Sequence, residues 1–292
     1  MPRKIILNIH AKEFKYFTDN VSTSGQNFSG NKIQSEISGL AEIENLDIDE
    51  YNLSNFYLNY SFVNGILNLN RINCKFSGGN IDANGFLDIK SNIPYVDLKL
   101  NFSDVKVQDV TKYNNDLAGR FFGTAKGNAN IEFRIEKGKS LFESLKAKME
   151  IEVDKGKLVN TGMQEGLSVY LSELKYKLKD IEFNKIYGNF SILENNCYIN
   201  SMLFNSPDVR LKVNGYFIFP EGDGKKYPGD LKYMLEFNDY FIQDIPNLPQ
   251  AQLIGKLLKI PALKKEGDWY IMSFKDKGDD ITNSKNIKPL EK

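Results

Sequence analysis

Residues Ile66 to Ile89 read ILNLNRINCKFSGGNIDANGFLDI. Apolar residues take every second position on either side of a turn: Ile72, Cys74 and Phe76 before Ser77-Gly78-Gly79-Asn80, then Ile81, Ala83, Leu87 and Ile89. In an extended chain successive side chains point to opposite faces, so a period of two gives each strand one apolar and one polar side. Glycines between two such runs supply the turn of a hairpin. The local unit is strand, tight turn, strand.

Working outward, the same alternation recurs along the chain. Ile33, Ile37, Gly39, Ala41 and Ile43 share a phase, as do Phe56, Leu58, Tyr60 and Phe62, and then Val96, Leu98, Leu100 and Phe102. Later sets are Ile131, Phe133 and Ile135; Met149, Ile151 and Val153; Val209, Leu211, Val213, Phe217 and Phe219; and Leu231, Tyr233, Leu235 and Phe237. Asn64-Gly65, Asp154-Lys155-Gly156, Glu194-Asn195-Asn196 and Glu221-Gly222-Asp223-Gly224 lie between them as turn signals. The pattern predicts a mainly β protein of about a dozen strands, joined as hairpins and hence antiparallel. A weak internal repeat pairs Asn55-Phe56 through Gly85-Phe86 with Asn189-Phe190 through Gly215-Tyr216-Phe217, each ending in Asn-Gly-aromatic.

Helices are few. Met163, Leu167, Tyr170, Leu171, Leu174 and Leu178 recur at three- and four-residue steps, which predicts an amphipathic helix over 161–178. Shorter candidates span Val107 to Tyr113, Ser140 to Lys146 and Gln250 to Ile260, the last stopped by Pro261. No shift in composition marks an interior linker, so residues 1–275 read as one domain. Residues 276–292, rich in Lys, Asp and Asn, read as a polar tail.

Composition narrows the function classes. Lys plus Arg and Asp plus Glu are 38 each in 292 residues, a net charge of zero. A nucleic-acid binder normally carries a basic excess to neutralise phosphates, so none is expected as a partner. One histidine (His10) and two distant cysteines leave few parts for a metal centre or a catalytic triad, and the expectation is a non-enzyme without cofactor. Gly138-Lys139-Ser140 imitates the end of a phosphate loop, but the glycine required five positions earlier is Phe133. The Asp276 to Asp280 carboxylates lack calcium-loop spacing, and the acidic cluster Glu44, Asp47, Asp49 and Glu50 reads as a solvated face. Cys74 and Cys197 sit in phase with strand apolar residues and read as small buried hydrophobes, with a disulfide left open.

The informative feature is an imbalance of faces: many strands, each with an apolar side, and one good helix to cover them. Either the sheet folds on itself as a sandwich or barrel, or it curls into a trough whose apolar inner face a ligand completes, the natural ligand being an acyl chain. In the second case the inward positions are Phe56, Leu58, Tyr60, Phe62, Ile131, Phe133, Ile151, Val153, Leu211, Val213 and Phe217, each on its strand's apolar phase. A semi-open lining would accept a charge at Val153 with little loss of folding.

The Ile66–Ile89 segment, with its Gly-Gly turn and closing Gly, resembles the C-terminal region of the AsmA-like family. Further similar stretches follow in the family's order: Tyr95-Val-Asp-Leu-Lys-Leu, the strand from Gly127 to Ile135, Ser140 to Leu145, Asp154-Lys-Gly-Lys-Leu158 before the 161–178 helix, and Phe204-Asn-Ser-Pro-Asp-Val-Arg-Leu-Lys-Val-Asn-Gly215. The resemblance covers about residues 2 to 275. It implies an elongated, curled antiparallel β-groove of bridge-like lipid-transfer type, carrying phospholipid between inner and outer membrane in the periplasm. An inner-membrane anchor and envelope-assembly partners are implied with it. Only three consecutive apolar residues follow the basic start, short of the roughly 7 to 15 of a secretory signal. The expectation is a chain lacking the family's anchor and long N-terminal part. A self-packed β-scaffold assisting outer-membrane assembly stands as the alternative.

Overall fold

A computed structural model of the protein describes residues 4–6, 9–16, 36–48, 51–112, 117–159, 180–207, 209–219, 227–238, 264–266, 269–278 and 287–289. Sixteen strands are found among them: β1 Lys4–Ile6, β2 Ile9–Tyr16, β3 Glu36–Ile48, β4 Tyr51–Val63, β5 Ile66–Phe76, β6 Gly79–Asp88, β7 Tyr95–Lys106, β8 Phe121–Arg134, β9 Lys146–Leu158, β10 Ile181–Leu193, β11 Asn196–Asn205, β12 Val209–Ile218, β13 Gly229–Asn238, β14 Lys264–Glu266, β15 Trp269–Gly278 and β16 Ile287–Pro289. The protein is mainly β and almost entirely antiparallel. By contacts the chain divides into two compact units, residues 1–106 with 126–147, and residues 107–125 with 148–292.

In the first unit β3 to β7 form a meander in which each strand pairs with its neighbours in sequence. β1 and β2 lie parallel to β3. The tight hairpins follow from Asn64-Gly65 (φ 51° and 75°) and Ser77-Gly78 (φ 48° and 80°). Two successive left-handed residues make a loop whose twist matches that of the flanking strands, and Asn and Gly tolerate that region best. Register then aligns the apolar phases. Leu58 lies opposite Ala41 and Ile72, Tyr60 opposite Gly39 and Leu69, and Phe62 opposite Ile37 and Leu67. The rows continue as Leu69–Gly85–Leu98, Ile72–Ala83–Leu100 and Cys74–Ile81–Phe102.

In the second unit β10 to β13 form a like meander, with β15 next to β13. Ile199, Val213 and Leu231 make its buried centre, with Phe190, Met202, Leu211, Phe217 and Tyr233 packed against them. Phe183, 3% exposed, meets Phe204 at 5.4 Å and Phe121 at 6.1 Å between ring centres.

Strict alternation is broken at two polar residues within strands. Asn55 (φ 52°) and Asp104 (φ 58°) are left-handed, and the apolar phase steps there from Leu53 to Phe56 and from Phe102 to Val105. Asn55 lies where the β4–β5 register shifts between Ser54 and Tyr57, an extra residue that bends β4 against its partner, and Asn and Asp bear the left-handed conformation most readily.

The helix expected over 107–113 is present as α1, Val107–Thr111. Ser140 to Lys146 does not form the expected helix: Leu141–Glu143 is one 3₁₀ turn, boxed by Ser140 and Glu143, and β9 starts at Lys146. The candidate helices 161–178 and 250–260 lie outside the described residues. The polar stretch after Phe274, read from sequence as a frayed tail, carries the end of β15 and the short β16, with Phe274 opposite Pro289.

Candidate ligand-binding face

The strand phases determine which side chains share a face, and the register shows that they line up. Phe56, Leu58, Tyr60 and Phe62 are half-buried on the apolar side of β4. Ile131 and Phe133 are half-buried on β8, next to the buried Ala129. In the second unit Ile151 is half-buried and Val153 is buried on β9. Leu211, Val213 and Phe217 of β12 belong to the cluster around Ile199 and Leu231.

Val153 does not have the semi-open surroundings expected of it. It is 5% exposed, and a Cβ added at Gly123 would come within 2.7 Å of its methyl carbon. A carboxylate there would lose its hydration without a partner, so the site is packed core.

What distinguishes this face from an ordinary core is the size order of burial. Among the described residues the buried apolar side chains of the first unit are Ala41, Leu46, Cys74, Val96, Val105, Ala129 and Ala147, mostly small. Its largest apolar side chains, among them Phe56, Phe62, Phe102 and Phe133, stay half-exposed. A self-covered face would bury the large residues first, because the gain scales with apolar area removed from water.

The opposite face is polar and internally hydrogen-bonded. Asn70 donates to the Asn59 side-chain carbonyl at 3.0 Å, Asn73 to Asp82 at 2.7 Å and Asn68 to the Ser61 hydroxyl at 3.4 Å. In the second unit Asn200 donates to Asn189 at 2.8 Å and Ser191 at 2.7 Å, and Lys185 donates to Glu152 at 2.8 Å. Arg134 lies 5.7 Å from the centre of the Tyr95 ring. Burial first, and then a hydrogen bond to Glu132, push the Tyr95 hydroxyl up to about 12.

Both cysteines are buried and free, on the apolar side of β5 and β11. Burial pushes the Cys197 thiol up to about 11, and burial followed by the Asp82 charge pushes Cys74 upward. Each remains a thiol at neutral pH and packs as a hydrophobe.

An open depression of about 480 Å³ in the second unit is lined by Phe122, Lys155, Lys157, Glu182, Phe183 and Asn184, among others. Lys157 sits 5.2 Å from the centre of the Phe122 ring. Its charged rim suits an acyl chain less well than the apolar rows do. Among the described residues no cluster of His, Cys, Asp and Glu could hold a metal, and no helix is long and apolar enough to cross a membrane.

The sequence pattern shows the second half of β10, as the Asn189-Phe190 strand of the repeat, but not its start. Phe183, Phe190 and Ile192 belong to its apolar side, but Glu182, Asn184 and Lys185 are exposed, so two polar residues in a row break the period after Phe183. The aligned rows from β11 to β13 are what place Phe190 with the β12 residues.

No protein-family model matches the chain, and neither the curated proteins nor the solved structures give a match.

Proposed function

We propose that the apolar face binds phospholipid acyl chains, as a non-catalytic segment of a lipid-transport bridge in a bacterial envelope. One observation carries this reading: large apolar side chains stay half-exposed on a face whose reverse is a hydrogen-bonded polar surface. Acyl chains on that face would contribute about 0.8 kcal/mol per buried CH₂ and need no charged anchor. The similarity of the 66–89 segment and the stretches after it to the AsmA-like family supports the setting. That setting is the periplasm, at the inner membrane, with envelope-assembly proteins as neighbours.

The test is photo-crosslinking in membranes, with a photoreactive residue at Phe133 or Ile151 and outward controls at Glu132 and Glu152. Lipid should be labelled from the first pair and not the second. Equal labelling from both pairs would sink the reading. Labelling from neither, with a chain that melts cooperatively and carries no co-purified lipid in native mass spectrometry, would favour the self-packed scaffold.

A further inference from the structure

The connections at one end of the first unit carry most of its exposed apolar bulk. Among the described residues of that unit, six large apolar side chains are more than a third exposed: Ile48, Ile89, Ile93, Ile135, Leu141 and Phe142. All but Ile48 lie in the β6–β7 and β8–β9 connections. These two connections meet, the Ile135 N–H donating to the Pro94 carbonyl at 2.9 Å. Ile48 lies at the opposite end, where β3 turns into β4.

Both connections are tied to the strand ends. The Ile89 N–H donates to the Gly65 carbonyl at 2.9 Å, and the Ser91 hydroxyl donates to the Ile93 carbonyl. Ser144 accepts the Arg134 N–H and donates back to the Arg134 carbonyl, both at 2.9 Å, which holds the 141–143 turn against the end of β8. Apolar side chains on loops held in this way keep their exposure until a partner covers them.

The surrounding charges indicate which partner. Residues 88–94 and 134–146 hold five cations, Lys90, Arg134, Lys137, Lys139 and Lys146, and three acids, in a chain whose net charge is zero. Each acid is engaged locally. Asp88 accepts the Lys90 N–H at 2.8 Å, Glu136 pairs with Lys139 at 2.6 Å, and Glu143 accepts the Ser140 N–H at 3.1 Å. Lys90, Lys137 and Lys146 are exposed and have no ion-pair partner among the described residues. Lysines also interrupt the apolar residues along each loop, as in Ile89-Lys90 and Ile135-Glu136-Lys137. The centre of a protein–protein contact is depleted of charge, so this interleaving does not suit one. It suits the headgroup layer of an anionic bilayer, where apolar tips reach the acyl boundary while lysine stems bend back to phosphate.

We infer that the two connections form a membrane-docking tip, with Leu141 and Phe142 entering the surface of a bilayer that carries anionic phospholipid. The tip uses none of the residues assigned to the acyl-binding face and stands if that reading falls.

The experiment sediments the full chain with vesicles of phosphatidylcholine, alone or mixed with phosphatidylglycerol. The unaltered chain should bind the mixed vesicles more tightly, and the preference should fade as salt rises. Lys90→Gln and Lys137→Gln should each weaken binding to mixed vesicles about fivefold and leave binding to neutral ones unchanged. Leu141→Ser combined with Phe142→Ser should weaken binding to both at least about tenfold, while Ile48→Ser changes neither. If the double variant does not fold, Phe142→Trp and Ile48→Trp decide: bromine-labelled acyl chains should quench the first added tryptophan and not the second. Vesicle binding that survives the double substitution in a folded chain, or equal quenching from positions 142 and 48, overturns the docking tip. So does a chain that ignores vesicles but self-associates through Leu141 and Phe142, which would make the tip a contact between copies. Lipid labelling from Phe133 in detergent–lipid micelles reads the acyl-binding face separately, and its absence overturns that face while the tip stands.

Discussion

The β3–β7 meander and the β10–β13 meander solve the same packing problem with different amounts of core. The first buries mainly Ala, Val and Cys and keeps its phenylalanines half-exposed, whereas the second buries Phe183 and Phe204 with Ile181, Ile199, Val209 and Leu235. Their polar sides differ as well. The first is tied by amide hydrogen bonds such as Asn73 to Asp82, while the second adds ion pairs, Lys185 with Glu152 and Lys212 with Glu236. Pairing between sequence neighbours sets the register in both, and the side chains placed on that register set how dry each face becomes.

The sharpest way to break this comparison is to empty one apolar position in each meander. Phe183→Ala removes a ring packed on two others and should cost about 3–5 kcal/mol in urea unfolding. In the first meander Leu53→Ala, half-buried, should cost less than about 2 kcal/mol. Equal losses would mean that the two faces are equally dry.

Next in size, Gly85→Ala and Gly215→Ala both drive a methyl group into a neighbouring backbone carbonyl and should each cost about 1–3 kcal/mol. Gly215 also has φ of 132°, so its loss should be the larger of the two. A neutral result at either would remove close approach as the shared device.

The thiols sharpen the comparison through pH. Folding raises the Cys197 thiol from its ordinary 9.0 to about 11, so the folded state holds its proton more tightly than the unfolded one. That contribution is complete below about pH 9 and is lost as pH rises through 9 toward 11. The unfolding free energy of the second unit should therefore fall over that window, and Cys197→Ala should flatten the fall. Cys74 is raised as well, so the first unit should lose stability in the same direction.

The smallest effect belongs to the polar side. Lys185→Ala should cost under about 1 kcal/mol, because the pair is about half exposed on the lysine side, and its cost should shrink in high salt. Asn70→Ala should be similarly small but indifferent to salt. A salt-independent Lys185 effect would assign it a packing role instead.

Period two, the Asn-Gly and Gly-Gly turns and the absence of charge excess made the strands, their antiparallel order and the apolar phases legible from sequence. Tyr60 and Val213, for example, were placed on the correct side by alternation alone. The bulges were not legible, because Asn55 and the Asn70-Arg71 step look like any polar residues within a strand. Only pairing shows that one of them is supernumerary. The start of β10 is hidden in the same way, and Val153 is packed where alternation alone suggests a semi-open site: alternation gives the side a residue faces, but not the depth of what covers it.

The pairing of each strand with the next in sequence has a consequence for how the molecule is made. Contacts between sequence neighbours need little loop closure, so each hairpin of a meander can form as soon as its second strand exists. A chain growing from its N-terminus would have β3 to β6 paired before the Tyr95 strand is complete. It would then present a finished apolar surface to its surroundings during synthesis. The interval in which that surface is bare is set by the rate of elongation rather than by folding, and whatever shields it must already be present while the chain is emerging.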